Sequence, residues 1–278
     1  MHATVTESLN QEDIDYVKRL IAKAGALAPE IRTDIEIIEK TGPYDRVTTA
    51  DFALSKLIVQ ELHDRFAADK IISEEDTKHD TMAKTGRVWL IDPIDGTDNY
   101  IANDGQYSVM IGLVIDSKPV FGWVFAPVKS TIYFGGPGFG TWRQASGEAA
   151  SCFAELPFLQ EDEHARLILG WRDRKNNPWL NDLPNATFVK TGSIGLKVGK
   201  VLEGEADMFV HLSGKLKTWD TAGPVAIALG ASLEVGGMES DELSFPEEGV
   251  IHESSVIIGR PGSLNWCRMH LGNSVRSK

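Results

Sequence analysis

Cysteine, long apolar runs and positive charge are all in short supply in this chain of 278 residues. The two cysteines, Cys152 and Cys267, lie far apart in the sequence, which argues against a disulfide scaffold and favours a reduced, cytoplasmic protein. The longest apolar stretches, such as 109–115 and 120–126, have the length of strands, so we expect no membrane span. Residues 1–13 are polar and acidic and lack the apolar core that a signal peptide needs.

The charge balance is acidic, with 28 lysines and arginines against 40 acids and a formal net charge of −12. This excess disfavours partners that are held by charge alone, such as a nucleic acid polymer or an anionic membrane. A small phosphorylated ligand is still compatible with it, provided that positive potential comes from a local source. Metal ions held by clustered carboxylates would supply that potential.

Apolar spacing along the chain predicts a mixed α/β protein in which helices are layered on sheets. We predict helices over 12–27, 31–40, 54–66, 193–203 and 221–229, and strands over 70–73, 87–91, 107–115, 120–126, 131–134, 166–169, 186–189, 208–211 and 254–258. Short turns join the three strands between 107 and 134, which indicates an antiparallel meander that ends at the glycine-rich run 135–138. A soft boundary near 147–159 predicts an N-terminal α+β half, 1–150, and a C-terminal α/β half, 151–278.

The strongest chemical signal is the sequence WLIDPIDGT at 89–97. An apolar strand delivers Asp92 to the end of a sheet, where Pro93 cannot donate to the ladder and is expected to stop the pairing. Asp95 follows three residues later, so one tight turn can direct both carboxylates to one point. Magnesium in proteins takes one or two carboxylates together with substrate phosphate and water, so this pair predicts a metal site.

Gly96 and Thr97 extend the same string beyond its two aspartates. Their backbone N–H groups can lie at the start of a helix, where phosphate oxygens bind well. Asp, Pro and Gly also favour ordinary solvated turns, and that is the alternative interpretation. The full string of strand, two acids and glycine turn favours a combined metal and phosphate site.

Three motifs, taken in order, resemble those of the magnesium-dependent, lithium-sensitive phosphatases, a family that includes inositol monophosphatase, fructose-1,6-bisphosphatase and 3′(2′),5′-bisphosphate nucleotidase. The motifs are Ser73-Glu74-Glu75, Asp92-Pro93-Ile94-Asp95-Gly96-Thr97 and Thr218-Trp219-Asp220-Thr221-Ala222-Gly223-Pro224. The resemblance implies the αβαβα sandwich of the sugar phosphatases, and a metal-dependent phosphoric monoester hydrolase that acts on a small phosphorylated substrate.

The resemblance also implies roles for single residues and a cofactor of two to three Mg²⁺ ions. Glu74, Asp92 and the carbonyl of Ile94 would hold the first ion, and Asp92, Asp95 and Asp220 the second. Glu74 would contact a third, weaker ion through water and so take part in catalysis. Two ions about 3.5–4 Å apart can clamp the attacking and leaving oxygens of an in-line displacement. Phosphoryl transfer needs mainly positioning and charge neutralisation, so no protein nucleophile is required.

Asp51 has both a structural and a catalytic interpretation. With Thr48 three residues earlier it predicts a capping arrangement at the start of a helix. In the resembling phosphatases the matching aspartate contacts the threonine of the Asp-Gly-Thr segment, here Thr97, and that pair activates the attacking water. The two roles are compatible, and we expect both.

Three further charged residues have alternative interpretations. Asp220 begins an apolar helical run, where aspartate is favoured as an N-cap, and the same carboxylate can shield the positive helix end from a metal. Glu75 is either a supporting group of the site or a solvated acid. Lys40 stands eleven residues before Asp51, as the active-site lysine of the resembling family does, but a helix-terminal lysine needs no such explanation.

The substrate is indicated by the C-terminal half of the chain. The segments 192–197, 202–207 and 215–220 are similar to the bisphosphate nucleotidase branch of the family. Gly192 and Ser193, at a helix start, can receive a phosphate or a sugar hydroxyl. Lys197 and Lys217 either meet a second phosphate or lie in solvent. The leading prediction is hydrolysis of 3′-phosphoadenosine 5′-phosphate to AMP and phosphate.

Other residues depart from that branch and keep alternatives open. Ser213 stands where inositol monophosphatases usually carry a glutamate that contacts an inositol hydroxyl, whereas residues 98–100 are nearer the inositol phosphatase style. Residues 170–174 replace a Ser-Arg-Ser-His-like segment, and Arg172 or Arg174 could make that contact instead. The alternatives are an inositol or sugar monophosphatase and a catalytically silent metal- and phosphate-binding regulator.

Two expectations concern packing and assembly. His211 lies on an apolar strand and is interpreted as a packed histidine rather than a ligand. The resembling family contains monomers, dimers and tetramers, so a homodimer is one of the states that the resemblance allows.

Overall fold

The computed structural model describes residues 9–42, 45–76 and 86–275. Its α-helices are α1 (Gln11–Ile31), α2 (Thr49–Arg65), α3 (Thr97–Ala102), α4 (Trp171–Asn176), α5 (Ile194–Leu202), α6 (Thr218–Gly230) and α7 (Ser263–Val275). Its strands are β1 (Ile37–Gly42), β2 (Asp45–Thr48), β3 (Lys70–Ser73), β4 (Arg87–Asp95), β5 (Ser108–Ile115), β6 (Lys118–Ala126), β7 (Thr131–Gly136), β8 (Gly140–Ala145), β9 (Ser151–Cys152), β10 (Ala165–Leu169), β11 (Ala186–Phe188), β12 (Met208–His211), β13 (Glu234–Gly236) and β14 (Val256–Gly259).

A seven-stranded sheet runs in the order β3-β4-β5-β6-β7-β8-β9. β3 and β4 are parallel, and the later neighbours are antiparallel, which confirms the predicted meander. The prediction that the glycine-rich run ends this meander was wrong, because β8 returns alongside β7. Gly138, at a φ of 78°, adopts the left-handed conformation that such a reversal uses, so the run makes a hairpin.

A five-stranded sheet runs in the order β11-β10-β12-β14-β13. β11, β10 and β12 are mutually parallel, and β14 is antiparallel to both of its neighbours. The carboxyl ends of parallel strands meet at one edge of a sheet, where open α/β sheets bind their ligands. The segments 170–176, 189–193 and 212–217, which follow these three strands, therefore lie at the same edge, hereafter the carboxyl edge.

Helices and sheets alternate as five layers, which confirms the predicted αβαβα sandwich. On β4, Trp89 and Ile91 join the core that contains α1 and α2, whereas Val88 and Leu90 join the core that contains α5, α6 and the second sheet. This alternation is the ordinary two-residue period of a strand that is buried on both faces. A third core lies between the second sheet and α7 and includes Cys267.

Close backbone contact holds α6 against the seven-stranded sheet. A Cβ added at Gly122 of β6 would lie 2.2 Å from the carbonyl oxygen of Gly223, and one added at Gly112 of β5 would lie 2.5 Å from Cβ of Ala222. Glycine is needed at such approaches because any side chain would force the two layers apart. The start of α6 is thereby fixed relative to β4 and β5.

The predicted helix over 31–40 was wrong. Residues Arg32–Asp34 form a short 3₁₀ turn, and β1 follows and pairs antiparallel with β2. Ile31, Ile35 and Ile38 have helical spacing by coincidence. Isoleucine is stiff at χ1 and favours strands, so pairing with β2 overrides the periodicity. The predicted break at 42–43 lies partly outside the described residues.

One other boundary differs from the prediction. Pro93 does not end β4, which continues to Asp95 with a register irregularity between Asp92 and Asp95. Proline lacks an N–H and is tolerated where a bulge interrupts the ladder. The final strand predicted over 254–258 is confirmed as β14, and α7 follows it.

The seven-stranded sheet falls within residues 70–152 and the five-stranded sheet within 165–259, so only β9 (Ser151–Cys152) of the first sheet lies beyond the proposed boundary at 150. The division into two halves stays a prediction. In the described part of the chain, no helix is long and apolar enough to cross a membrane.

Candidate metal and phosphate site

Asp92 and Asp95 lie at the C-terminal end of β4 and are 2% and 7% exposed. Oδ1 of Asp92 accepts a hydrogen bond from the backbone N–H of Ile94 at 3.1 Å. Oδ2 of Asp95 accepts from the hydroxyl of Ser108 at 3.2 Å and from the backbone N–H of Gly195 at 2.9 Å. The second of these bonds ties the end of β4 to the first turn of α5, so two layers meet at this carboxylate.

Glu74 follows β3, the parallel neighbour of β4, and its backbone N–H donates to the carbonyl of Ile91 at 3.0 Å. Its carboxylate lies 3.9 Å from Nζ of Lys40, which also contacts Glu75 at 2.9 Å. The Glu75 side chain is only 3% exposed, so the solvated interpretation of that acid was wrong. Lys40 lies on β1 rather than at a helix end, and it faces both glutamates.

Asp220 is the third residue of α6, not its N-cap. Its Oδ2 accepts a hydrogen bond from the backbone N–H of Lys217, the N-cap, at 2.7 Å. The entry to α6 is also held by a bond from Thr218 N–H to the carbonyl of Val250 at 2.8 Å. A carboxylate at this position satisfies a helix-start donor and still leaves oxygen lone pairs for another partner.

Four acids from three parts of the chain thus form one group, hereafter the acid cluster. Its members are Glu74, Asp92, Asp95 and Asp220. Burial and the charges of neighbouring acids raise the pKa of Glu74 to about 8. The same causes raise the pKa of Asp220 to about 7 and hold that of Asp92 well above its ordinary value. The negative charges of the four acids therefore repel one another.

Hydrogen bonds and one cation moderate this repulsion at Asp95. Burial raises the pKa of Asp95, whereas the bonds from Gly195, Ser193 and Ser108 and the charge of Lys197 lower it. Three hydrogen bonds and one positive charge therefore stabilise the ionised form of Asp95.

The donor chemistry of the acid cluster fits a hard divalent cation. Carboxylate oxygens are the ligands that magnesium prefers, and a dication among repelling carboxylates favours their ionised forms. Over the described residues, no three histidine, cysteine, aspartate or glutamate side chains form a ready-made site for a single ion. Magnesium uses one or two carboxylates and completes its shell with water and phosphate, so a preformed trio is not required. The carbonyl of Ile94 accepts from Thr97 Oγ1 at 3.2 Å and keeps a second lone pair.

Asp51 lies at the third position of α2 and is 1% exposed. Its Oδ2 accepts from the backbone N–H of Thr48 at 2.8 Å and from the Thr48 hydroxyl at 2.6 Å, which confirms the predicted cap. Its Oδ1 lies 3.4 Å from the hydroxyl of Thr97. Burial, as the largest cause, raises the pKa of Asp51 to about 6. The predicted Asp51–Thr97 pair is thus brought together.

Gly96 forms the turn between β4 and α3. Its φ of 91° is left-handed, and an added Cβ would lie 3.0 Å from the carbonyl of Gln106 and 3.4 Å from Cβ of Ser193. Gly192 is equally confined, since its added Cβ would lie 2.4 Å from Oδ1 of Asn99. The two predicted phosphate turns, 96–97 and 192–193, therefore pack against each other.

Ser193 is the N-cap of α5, and its hydroxyl accepts from the backbone N–H of Leu196 at 3.0 Å. The same hydroxyl is 2.8 Å from that of Ser108, which in turn bonds Asp95. The turn at the start of α5 is thereby linked to the acid cluster by side-chain hydrogen bonds. A cavity of about 400 Å³, lined in part by Gln106 and Thr191, opens beside this turn, and its lining contains no member of the acid cluster.

Lys197 is partly buried and its charge interacts with two members of the acid cluster, so it is not a solvated surface lysine. Burial lowers the pKa of Lys197, whereas the charges of Asp95, Asp220 and Asp173 oppose that shift. Its Nζ lies 5.1 Å from the ring centre of Phe209. Lys217 is partly buried at the start of α6, and its charge helps to keep Asp220 ionised.

Sequence reasoning missed Asp173 and the partners of His211. The imidazole of His211 bonds the hydroxyl of Ser213 and lies near Asp173, so it is not merely a packed histidine. These residues share one signal, because each lies at or just after the C-terminal end of a parallel strand. Of the two arginines considered for this region, Arg174 bonds Asn181 at 2.6 Å, whereas the charge of Arg172 acts on His211.

The sequence profile of the inositol monophosphatase family matches residues 10–266. The 3′(2′),5′-bisphosphate nucleotidase CysQ of Haemophilus influenzae is 32% identical over 268 residues, which cover 93% of this chain and 97% of that protein. Inositol monophosphatase 1 of Bos taurus is 28% identical over 249 residues, covering 84% of this chain and 87% of that protein.

Solved structures give the same fold. Inositol monophosphatase II of Staphylococcus aureus superposes with a TM-score of 0.78 at 20% identity and covers 96% of this chain and 98% of its own. An IMPase/NADP phosphatase complexed with Mg²⁺ and phosphate superposes with a TM-score of 0.74 at 18% identity, with 94% and 95% of the two chains covered.

Proposed function

This chain belongs to the inositol monophosphatase family and is a phosphatase of phosphomonoesters, and from that premise we propose that it is magnesium-dependent and prefers a 3′(2′),5′-bisphosphate nucleotide. The observation that carries the proposal is the acid cluster. Its carboxylates repel one another, Asp92 and Asp95 are buried, and the cluster lies beside two glycine turns that can receive phosphate. Glu74, Asp92, Asp95, Asp220 and the carbonyl of Ile94 would hold two to three Mg²⁺ ions.

The bound cations would neutralise charge on the transferred phosphoryl group and on the attacking and leaving oxygens. The chain's own groups orient the reactants. Thr97 Oγ1 faces Asp51 Oδ1, so its hydroxyl can donate to that carboxylate and accept a hydrogen bond from the attacking water. Asp51, with a pKa of about 6, is ionised above that pH and is suited to accept a proton. The N–H groups of Gly96 and Thr97 would orient the phosphate, whereas the N–H of Ser193 already donates to the carbonyl of Gln106 at 3.1 Å, so Ser193 would act as the N-cap that holds the second turn in place.

Two observations support a bisphosphate substrate. The charge of Lys197 interacts with those of Asp95 and Asp220, so its ammonium group can meet a second phosphate beside the acid cluster. The most similar relatives named above include a bisphosphate nucleotidase at 32% identity. Lys217, at the entry to α6, is the second lysine that we propose as a substrate contact.

An inositol or sugar monophosphatase is a second candidate within the same family. The similarity to bovine inositol monophosphatase 1, at 28% identity, favours it. A catalytically silent regulator is disfavoured, because a retired site would be expected to lose a member of the acid cluster. A homodimeric state and a cytoplasmic location stay predictions.

A substrate panel tests these alternatives. Purified protein with magnesium is assayed for phosphate release from 3′-phosphoadenosine 5′-phosphate, inositol 1-phosphate and fructose 1,6-bisphosphate, with and without lithium. We expect the highest kcat/KM for the nucleotide and inhibition by lithium. A preference for inositol 1-phosphate would support the second candidate, and no release from any ester would support the regulator.

A further inference from the structure

A short piece of backbone, hereafter the 250–252 segment, pairs with the residues that lead into α6. The N–H of Thr218 donates to the carbonyl of Val250 at 2.8 Å. The N–H of His252 donates to the carbonyl of Leu216, also at 2.8 Å. These two bonds fix the 250–252 segment against the chain at the point where α6 begins.

This pairing directs the N–H of Lys217 toward Asp220. Lys217 stands opposite Ile251 in an antiparallel bridge, and the two bonds belong to the residues before and after it. In such a pair the N–H and carbonyl of each residue point away from the partner segment. The N–H of Lys217 is therefore available to Asp220, and it donates to Oδ2 of that carboxylate at 2.7 Å. The orientation of Asp220 thus depends on the 250–252 segment through one backbone hydrogen bond.

The side chain of His252 contacts the first turn of the same helix. It is 2% exposed, and its Nε2 lies 2.7 Å from the hydroxyl of Thr221, which is fully buried. Its Nδ1 lies 3.0 Å from the carbonyl oxygen of Ser244. Its ring meets that of Phe245 edge to face, with 4.9 Å between the ring centres. The imidazole is therefore held by contacts on three sides.

The carbonyl of Ser244 fixes the direction of both hydrogen bonds. A carbonyl oxygen can only accept, so Nδ1 of His252 carries the proton, and Nε2 of the neutral ring is an acceptor. The hydroxyl of Thr221 must then donate to Nε2. Its other acceptors are the carbonyls of Lys217 and Thr218, at 3.4 and 3.3 Å, and a hydroxyl that bonds back to its own helix in this way often bends it. His252 therefore keeps the first turn of α6 straight.

We propose that His252 is a positioning residue that sets the orientation of Asp220 and, through it, the affinity of the acid cluster for Mg²⁺. It acts through the hydroxyl of Thr221 and through the pairing of the 250–252 segment, and of these residues Asp220 is the one that would touch a cation. The inference rests on the proposed function and adds a residue that lies outside the three sequence motifs. Loss of a group that orients a metal ligand typically lowers metal affinity by about 10–100-fold, and we expect the lower end of that range.

The test measures cation binding to the metal-free, full-length protein. Mn²⁺ suits the same oxygen ligands as Mg²⁺, and electron paramagnetic resonance counts the free ion during a titration, with Mg²⁺ as the competitor. We expect the apparent dissociation constant of each ion to rise about tenfold in His252→Leu, which removes the acceptor. Thr221→Val, which removes the hydroxyl and keeps the shape, should have the same effect. Both changes break one hydrogen bond, so the double variant should lose little more than either single variant.

The matched control is another buried threonine, which holds α6 near its other end. The hydroxyl of Thr141 donates to the carbonyl of Ile227 at 2.5 Å, and its side chain is 1% exposed. Thr141→Val should therefore lower the Tm as Thr221→Val does, while the affinity for Mn²⁺ stays unchanged. His252→Gln, whose amide oxygen can accept from Thr221, should recover most of the affinity that His252→Leu loses.

Unchanged Mn²⁺ affinity in Thr221→Val and His252→Leu would overturn the inference while leaving the phosphatase proposal intact, and so would an equal loss in Thr141→Val. If His252→Leu does not fold, Thr221→Val decides the question, because it keeps the shape of the side chain. If the wild-type protein releases phosphate from none of the esters, the phosphatase proposal fails, and the Mn²⁺ titrations still decide the inference. A wild-type protein that binds neither ion would overturn the inference together with the proposed metal site.

Discussion

The hydroxyl of Thr97 lies 3.4 Å from Oδ1 of Asp51, a residue 46 positions earlier in the chain. Thr97 begins α3 at the end of the glycine turn, whereas Asp51 belongs to the first turn of α2. The other oxygen of Asp51 is fixed by two bonds from Thr48, so its orientation does not depend on Thr97. The carboxylate that caps α2 therefore offers its second oxygen as a hydrogen-bond acceptor to the first residue of α3.

Thr97→Val removes the hydroxyl and keeps the shape of the side chain. We expect kcat to fall by about 10²–10⁴-fold, the usual contribution of a positioned proton acceptor and its partner. Thr97→Ser keeps the hydroxyl and should retain most of the activity. Initial rates of phosphate release measure both. A Thr97→Val variant that keeps its activity while Thr97→Ser loses it would show that the methyl group, and not the hydroxyl, is what matters at this position.

The resemblance to the phosphatase family predicted this pair, whereas local signals predicted only the surroundings of each residue. Asp51 fits a capping pattern, and Thr97 follows a strand that ends in two aspartates. The same reasoning failed for residues 31–40, where the isoleucine spacing suits a helix but pairing of β1 with β2 decides the outcome. A strand that depends on a distant partner is harder to predict from the local sequence than a helix cap, whose residues are only three positions apart.

The contact between Asp173 and His211 shows the same limit at the candidate site. Asp173 belongs to no motif, and it meets His211 only because β10 and β12 are parallel neighbours. Strand order is a property of the whole sheet, and nothing in the spacing of these residues encodes it. The continuation of β4 beyond Pro93 was missed for a related reason. A bulge opposite Ser108–Met110 accommodates the proline, and that bulge depends on the pairing of β4 with β5.

Asp95→Asn tests the acid cluster. The amide oxygen can still accept the hydrogen bond from Gly195, but one negative charge is lost from a buried group of repelling acids. We expect phosphate release to fall by orders of magnitude while the metal-free protein becomes as stable as the wild type or more so. Asp98→Asn, three residues away on the exposed side of α3, is the matched control and should leave the rate unchanged. Near-normal turnover in Asp95→Asn would refute the assignment of Asp95 as a ligand.

The raised pKa values predict how stability depends on pH when divalent cations are removed. Glu74 and Asp220 have pKa values of about 8 and about 7 in the folded protein, well above those of unfolded carboxyl groups. The folded state therefore binds more protons than the unfolded state between these limits, and its stability falls as pH rises. We expect the Tm in EDTA to be higher at about pH 6.5 than at about pH 8.5, by a few degrees.

Magnesium should reverse this trend, because a cation and protons compete for the same oxygens. Adding Mg²⁺ should raise the Tm more at the higher pH than at the lower one, and the gain should be small in Asp95→Asn. Thermal unfolding followed by circular dichroism measures all of these values. A Tm that does not respond to pH or to magnesium would mean that the four acids do not share one site.

Gly96→Ala separates backbone strain from the loss of the phosphate turn. Gly96 has a φ of 91°, and an added Cβ would lie 3.0 Å from the carbonyl of Gln106. Gly86, with a φ of 76° and open space around an added Cβ, shares the strain without the clash and is the matched control. Each alanine should cost about 1 kcal/mol or more for its left-handed backbone.

Only Gly96→Ala should also displace the 96–97 turn from the Gly192–Ser193 turn, because Gln106 and Ser193 would have to move. We therefore expect it to lose phosphate binding and most of its turnover, whereas Gly86→Ala loses stability alone. Product inhibition by inorganic phosphate and kcat/KM measure the difference. Equal effects of the two variants on kcat/KM would assign the loss to general destabilisation, and the packing of the two glycine turns would then have no special part in holding phosphate.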